Sequence, residues 1–276
     1  MPSTDTLLAN VHRCMLVYRV GDGPAMTPVA CWSDGGGLWL TTSRHAAKIA
    51  ALRNDPTCAL WISPPLAGEP GVAVDGTARV YDLSDPVGLA LHAPAISAAL
   101  AALALTHRAS LAGYVRDLPR LPTVWMPQSR VLVRVRIDRA RSRMPPEQTP
   151  GVGPVLPTEV PSAVRRGLTG IRRVTLATQR GNALTVQPAV WGAGFKLDVG
   201  ATVVPDGDTP ACVTVDREPG DRTSDRPSGQ VGLMLRGTVD SGFRFHPIRA
   251  TWWQGFRSDS TALRAPATTS GIVLPD

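Results

Sequence analysis

Thr41, Thr42 and Ser43, followed by Arg44 and Lys48, are the residues of this chain best suited to hold an anion. Small hydroxyl side chains, free backbone N–H groups at a helix N-terminus and a lysine one turn in are what a phosphate requires. The elements that must position them can be read around the group. An apolar strand ends at Trp32, and the turn Asp34-Gly35-Gly36-Gly37 sends the chain into a second strand, Leu38-Trp39-Leu40. A hydroxyl-rich turn, Thr41-Thr42-Ser43, then leads into a short helix carrying Arg44 and Lys48. That helix stops at Asp55-Pro56, and a strand resumes at Cys58-Ala59-Leu60.

Composition narrows the remaining chemistry. The chain of 276 residues has 29 Lys+Arg against 22 Asp+Glu, a net charge of +7 carried almost wholly by arginine. Such a balance suits anionic ligands or nucleic acid without choosing between them. An RNA-binding surface would interleave aromatic and basic residues, and no stretch does so; nucleic acid is not expected as a partner. Four cysteines, Cys14, Cys31, Cys58 and Cys212, stand singly in apolar runs, with no spacing suited to zinc, and read as core residues in a reducing, cytoplasmic compartment. Five scattered histidines suggest no metal site. Met1 to Arg13 lacks the pattern of a secretory signal, and the most apolar window, Ala95 to Leu105, is too short to span a bilayer. No nucleophile–histidine pair or acid/base dyad is evident, which argues against a hydrolase.

The chain also repeats itself. Arg13 to Arg19 leads through Gly21-Asp22-Gly23 into Met26 to Trp32; about 160 residues later Arg173 to Ala177 leads through Arg180-Gly181-Asn182 into Leu184 to Trp191. Gly and Asn at those turns suit the positive φ of tight hairpins. The echo continues from Pro56–Leu60 to Pro210–Thr214, from Val74-Asp75-Gly76-Thr77 to Leu235-Arg236-Gly237-Thr238, and from Arg130–Arg139 to His246–Phe256. Short amphipathic helices near Thr4–His12 and Ser162–Leu168 precede the two copies. A duplicated antiparallel strand set follows. The expected divisions are a first half at 1–143, a Pro-rich linker at 144–161, a trimmed second half at 162–257 and a tail at 258–276. The first half alone has an excursion, Ser84 to Gln128, with a helical core at Ala95–Tyr114.

The anion segment resembles the phosphate-binding segment of the split β-barrel flavoproteins, the superfamily of pyridoxamine-phosphate oxidase and the deazaflavin (F420)-dependent reductases. There a strand ending in Thr is followed six residues later by Lys, and eight after that by Pro; Thr42, Lys48 and Pro56 keep both intervals. Pro247 to Gly255, with Trp252-Trp253-Gln254-Gly255, is similar to the last strand of the oxidases. The resemblance implies an α+β fold of two tandem antiparallel split barrels packed as a pseudo-dimer within one chain, acting as a monomer or as a homodimer of such chains. It implies a cofactor at the seam between the halves: phosphate on Thr41, Thr42, Arg44 and Lys48, ring edge along the backbone of Val29, Ala30 and Cys31, and Trp253 beside the ring. The cofactor implied is F420, with FMN as the alternative, and the activity is hydride transfer to or from a small organic substrate. A non-catalytic carrier or sensor of flavin, deazaflavin or haem is the second reading.

Departures from the pattern shape the expectation. Ala47 stands where the oxidases have Arg, and Ala50 where deazaflavin reductases commonly carry a basic residue. Gly71 and Ala73 replace a Gln and an Arg, and the basic set that grips pyridoxal phosphate is absent from Phe256 to Ser260, so pyridoxamine-phosphate oxidation is not expected. Losing two charge-assisted contacts of about 1.5–3 kcal/mol each would weaken cofactor affinity many-fold. In the second half, Asp198 to Thr209 replaces the phosphate segment with Asp198, Asp206 and Asp208 and no cation. One cofactor per chain is expected, with the mirror pocket closed or remodelled.

Overall fold

The computed structural model of the chain describes residues 3–64, 66, 68–108, 111–112, 115, 119, 129–148, 150–200, 207–217, 229–255 and 257–264. After a short helix, α1 (Thr4–Ala9), capped by the Ser3 hydroxyl, come β1 (Arg13–Val20), β2 (Gly23–Ser33) and β3 (Gly37–Ser43). Helix α2 (Ala47–Asn54) connects to β4 (Thr57–Ile62) and β5 (Gly71–Tyr81). The insert holds α3 (Pro86–Leu91) and α4 (Ala93–Thr106), and β6 (Arg130–Arg143) completes the first half. These strands close into a six-stranded antiparallel barrel in the order β1-β2-β3-β6-β5-β4. The long β6 makes closure possible: its first part pairs with β3, from Ser43 opposite Arg130 to Gly37 opposite Arg136, and its whole length pairs with β5.

After residues 144–161, which carry no helix or strand where described, the second half repeats the plan. It comprises α5 (Ser162–Gly167), β7 (Arg173–Arg180), β8 (Ala183–Trp191), β9 (Leu197–Asp198), β10 (Thr209–Asp216), β11 (Val231–Val239) and β12 (Phe245–Gln254). A further strand, β13 (Arg257–Ala262), follows. The order β13-β12-β11-β10-β7-β8-β9 is that of the first barrel opened along one seam, with β13 added. The opening has a local cause. β9 has only two residues where β3 has seven, so a single bridge, Lys196 to Arg244, stands in place of the β3–β6 ladder. The expected α+β architecture of two antiparallel strand sets is present, with a closed barrel in the first half only. Among the described residues no helix is long and apolar enough to cross a membrane.

Three expectations need correction. Thr41-Thr42-Ser43 is not a turn but the end of β3, because the ladder to β6 runs through Ser43. Helix α2 begins at Ala47, so Arg44 lies in the turn before it. The start of the expected tail is β13, paired with β12 from Gln254 opposite Arg257 to Arg249 opposite Ala262. Asp206, most of the second half of the insert and residues 265–276 lie outside the described residues.

The two copies share a detail finer than strand order. In β5–β6 the register shifts between Asp75 and Gly76, leaving Asp138 as the extra residue of a β-bulge; in β11–β12 it shifts between Arg236 and Gly237, leaving Ile248. Glycine is required at both bulges because the facing strand passes so close. A Cβ on Gly76 would sit 2.6 Å from the carbonyl oxygen of Arg136, and one on Gly237 would fall on the carbonyl oxygen of His246.

The halves bury their inner faces against each other in one core, where Val17, Met26, Leu16 and Cys58 of the first half meet Ala177, Val186, Cys212 and Met234 of the second. Polar ties cross the same boundary. Arg13 pairs with Asp216, Arg19 donates to the Asn182 carbonyl, Arg236 to the Val20 carbonyl, and Thr214 to the Met26 carbonyl. A second core under β10–β12 belongs to the second half alone, and a third, of Trp39, Tyr81, Leu132, Ala99 and Leu103, fastens α4 to the outside of the barrel. All four cysteines are buried and unbridged, and burial pushes the Cys212 thiol up to about 12.

The shared bulge makes a paired expectation. Gly76→Ala and Gly237→Ala should each force the facing strand outward and destabilise the protein by roughly 1–3 kcal/mol. Chemical denaturation measures it; a loss below about 0.5 kcal/mol at either site would mean that the bulge there is not constrained as described.

Candidate functional site

One cavity of about 1450 Å³ opens along the seam between the halves. Its first-half wall is made by β1, β2 and the segment from Thr41 to Lys48; its second-half wall by β11, β12 and β13, with Pro210, Ala211 and Asp216 of β10. Leu100, Leu103, Ala104 and His107 of α4 cover one side.

The anion end is built by three elements. β3 delivers Thr41 and Thr42 at its last turnless residues, and α2 delivers Lys48 in its first turn. The third is β6. Because Arg130 lies opposite Ser43, its guanidinium reaches back over β3 and donates to Thr41 Oγ1 (3.3 Å) and to the Thr41 carbonyl (3.4 Å). Arg130 also lines the cavity and stands near enough to Lys48 to disfavour its charge. Lys48 is half-buried and lines the cavity. Loss of solvent around its ammonium, and then the neighbouring Arg130 charge, lower its pKa from the usual lysine value to about 8.

Trp253 reaches the cavity from the opposite half. It lies on β12 opposite Gly232 of β11, and its indole rests flat on that glycine, where any Cβ would collide with the ring. The indole also packs against the core that the two halves share. Neighbouring Trp252 points the other way, into the second half's own core, as strand alternation requires. Between the two ends the wall carries Val29 and Ala30 of β2, Met234 of β11 and the hydroxyls of Tyr18 and Thr27. Thr27 Oγ1 is buried on the cavity wall, and its hydroxyl interacts with that of Tyr18. Tyr18, beside it, has its pKa pushed up to about 12 by burial.

Of the residues singled out from sequence, the structure brings Val29, Ala30, Thr41, Thr42, Lys48 and Trp253 to this one cavity. Arg44 is exposed and is not part of the lining; it opens the three-residue connection from β3 to α2. Cys31 is fully buried and does not line the cavity either. Its backbone oxygen is already engaged, accepting a hydrogen bond from His107 Nε2 at 3.1 Å. His107, the residue after α4, thus fastens the insert to β2; burial, partly offset by this bond, lowers its pKa. Arg130 was missed because its contact with β3 depends on barrel closure, which no local pattern announces.

At the mirror position the seam holds a cavity of only about 180 Å³, lined by Ser142, Arg143, Met144, Gln187, Pro188, Val199 and Gly200. Arg143 lies opposite Gly71 there as Trp253 lies opposite Gly232. Asp198, the second half's counterpart near the phosphate segment, accepts from the Gly200 N–H at 3.1 Å.

No family model matches this chain, and no curated protein matches it in sequence. Among solved structures it is similar to a FAD-binding protein from Mesorhizobium loti, at 17% identity over 50% of this chain and 89% of that one, with a TM-score of 0.38. It is similar to an F420 reductase at 19% identity, over 51% and 98%, with a TM-score of 0.35. It is similar also to a heme-binding protein from Mycobacterium smegmatis at 17% identity, over 52% and 59%, with a TM-score of 0.36. Each likeness concerns about half of this chain and goes no further than its fold.

Proposed function

We propose that the chain holds one flavin-type cofactor, F420 or FMN, in the seam cavity and works as an oxidoreductase on a small organic substrate. The observation that carries this reading is the meeting of an anion end, Lys48 with Arg130 and the Thr41–Thr42 hydroxyls, and a flat indole, Trp253, across a single cavity. A ligand with a phosphate at one end and a planar ring at the other satisfies both. The neighbouring Tyr18 and Thr27 on the same wall add hydroxyl groups suited to a polar ring edge. Such a cofactor supplies hydride chemistry when bound. The protein's part is to bind, orient and dry the site. Lys48 and Arg130 would neutralise the phosphate, the backbone of Val29 and Ala30 would run along the ring edge, and Trp253 and α4 would exclude water. Both walls come from one chain, so a monomer suffices on this reading.

The second reading, a non-catalytic carrier of flavin, deazaflavin or haem, is favoured by Ala47 and Ala50, which remove cations from the anion end. Absorbance spectra of the purified protein, with and without added FMN and F420, separate the ligands. Substrate-dependent bleaching of the bound cofactor separates enzyme from carrier.

Changing Lys48→Ala should weaken cofactor binding by roughly 1.5–3 kcal/mol. Titration of FMN and F420 into wild type and variant measures this, and equal affinities would sink the phosphate assignment.

Binding should also depend on pH in a defined direction. Lys48 is charged below about 8 and neutral above it. Affinity for a phosphate-bearing cofactor is therefore expected to fall as pH rises through about 8, and to show no such fall in Lys48→Gln. A wild-type profile that is flat between about pH 7 and 9 would place the phosphate elsewhere.

A further inference from the structure

The cavity has a second cationic feature that the cofactor reading leaves unused. Arg236 of β11 and Arg249 of β12 are direct cross-strand partners, and both line the cavity, Arg249 at its exposed mouth. Like charges placed directly opposite one another on a sheet destabilise it unless something neutralises them. Nothing among the described residues does. Arg236 donates to the Val20 carbonyl and Arg249 to Ser260 Oγ at 3.4 Å, and among the described residues neither guanidinium is within ion-pairing distance of a carboxylate. Asp22 lies on the same rim without pairing with either, and Asp216 is taken by Arg13.

The duplicated fold supplies an internal control. The register position that holds Arg236 opposite Arg249, beside the bulge, holds Asp75 opposite Arg139 in the first half. There the acid also binds Arg141, so the cross-strand charges are balanced by the protein itself. The cavity-lining copy has the reverse sign at the same backbone position, and its charges face an open space.

This pair lies away from the anion end. Arg249 precedes Trp253 by four residues on β12, about 13 Å along a strand. Arg236 rests against Val20, at the hairpin end of β1, while Lys48 lies near Cys14, toward the other end of the same strand, on the order of 20 Å away. We infer that Arg236 and Arg249 form a second anion site, beyond Trp253 from the cofactor phosphate, that takes the carboxylate of the substrate. Calling the second ligand a substrate rests on the cofactor reading above; the anion site itself does not. Two forked guanidiniums meeting across one β-ladder suit a planar carboxylate, each offering paired N–H donors.

Calorimetric titration of the full chain with benzoate, a planar aromatic carboxylate, tests this. Wild type is expected to bind it with a dissociation constant of about 10 mM or tighter. Arg249→Gln should weaken binding about tenfold, and Lys48→Gln should leave it within about twofold. Arg236→Gln should weaken it similarly. Since Arg236 also holds the Val20 carbonyl, Arg249→Gln is the deciding variant, with circular dichroism to verify its fold. Absence of benzoate binding by wild type, or undiminished binding by Arg249→Gln, overturns the proposal. So does a loss of FMN or F420 affinity in Arg249→Gln as large as the loss for benzoate, because the pair would then grip the far end of the cofactor. If the protein binds neither FMN nor F420 while benzoate still responds to Arg249→Gln, the anion site stands and the cofactor reading falls.

Discussion

Burial of each half's inner sheet face against the other is the constraint on which this structure depends. β2 carries it. Its Met26 is wholly buried, its amide faces the Met234 sulfur at 3.2 Å, and its carbonyl accepts from Thr214. Met26, Met234, Cys212 and Val17 are apolar groups whose exposure in either half alone would cost about 1.5–3 kcal/mol for each large side chain. Neither sheet can therefore be considered without its partner. Twisted sheets that meet at their centres diverge toward their edges, and the space left by divergence is where a ligand can sit. The cavity is thus a consequence of how the core is shared.

A symmetric pair would leave two such spaces. Here one measures about 1450 Å³ and its mirror about 180 Å³, and the residues responsible are identifiable. Where the large cavity has the seven-residue β3 with Thr41 and Thr42, the mirror has the two-residue β9 with Asp198. Where the large cavity has Trp253 lying on a glycine, the mirror has Arg143. The helical insert that covers the large cavity belongs to the first half, and in the second half β11 passes to β12 by a short turn at Asp240–Arg244. The backbone kept its twofold plan down to the bulges at Gly76 and Gly237, while the side chains facing the seam diverged. Duplication within one chain permits that division of labour, because each copy can then be altered alone.

Much of this plan was readable in the residues. Hairpins at Gly21-Asp22-Gly23 and Gly181-Asn182 and the repeated order of strands depend on local turn chemistry and on repetition, both of which a sequence displays. The expectation that Lys48 and Trp253 share a cavity rests instead on the family resemblance. The features that escaped depend on register. Arg130 meets Thr41 because β6 closes the barrel on β3, a contact between residues far apart in the chain. The bulges sit where a facing carbonyl crowds a glycine, and Gly76 alone does not announce which strand will face it. Arg44 and Lys48 look equivalent as cations near a helix start, yet α2 begins after Arg44 and turns only Lys48 inward. β13 has the polar, small-residue composition of a tail, and it forms a strand because β12 offers an edge that the shortened β9 does not occupy.

That Lys48 titrates near 8 has a meaning beyond its own charge. A lysine whose pKa is lowered on folding costs the folded state stability wherever the unfolded chain keeps the proton more tightly. The cost is fully present below about pH 8, fades as pH rises toward the ordinary lysine value of 10.5, and is gone above it. At neutral pH the folded protein therefore carries a desolvation of the Lys48 ammonium, to which the nearby Arg130 charge adds a repulsion. An anion between them relieves both terms at once, since it lowers the local potential and restores hydrogen bonds to the ammonium. Retaining such a pair at the wall of an open cavity is an expense that a purely structural lysine would avoid by turning to solvent. The same reasoning applies at the other end of the cavity, where Arg236 and Arg249 face each other with no ion-paired acid among the described residues. Two separated cationic groups, Lys48 with Arg130 and Arg236 with Arg249, thus stand at the two ends of a wall that carries Val29, Met234 and an indole, which is the arrangement the proposed ligands would require.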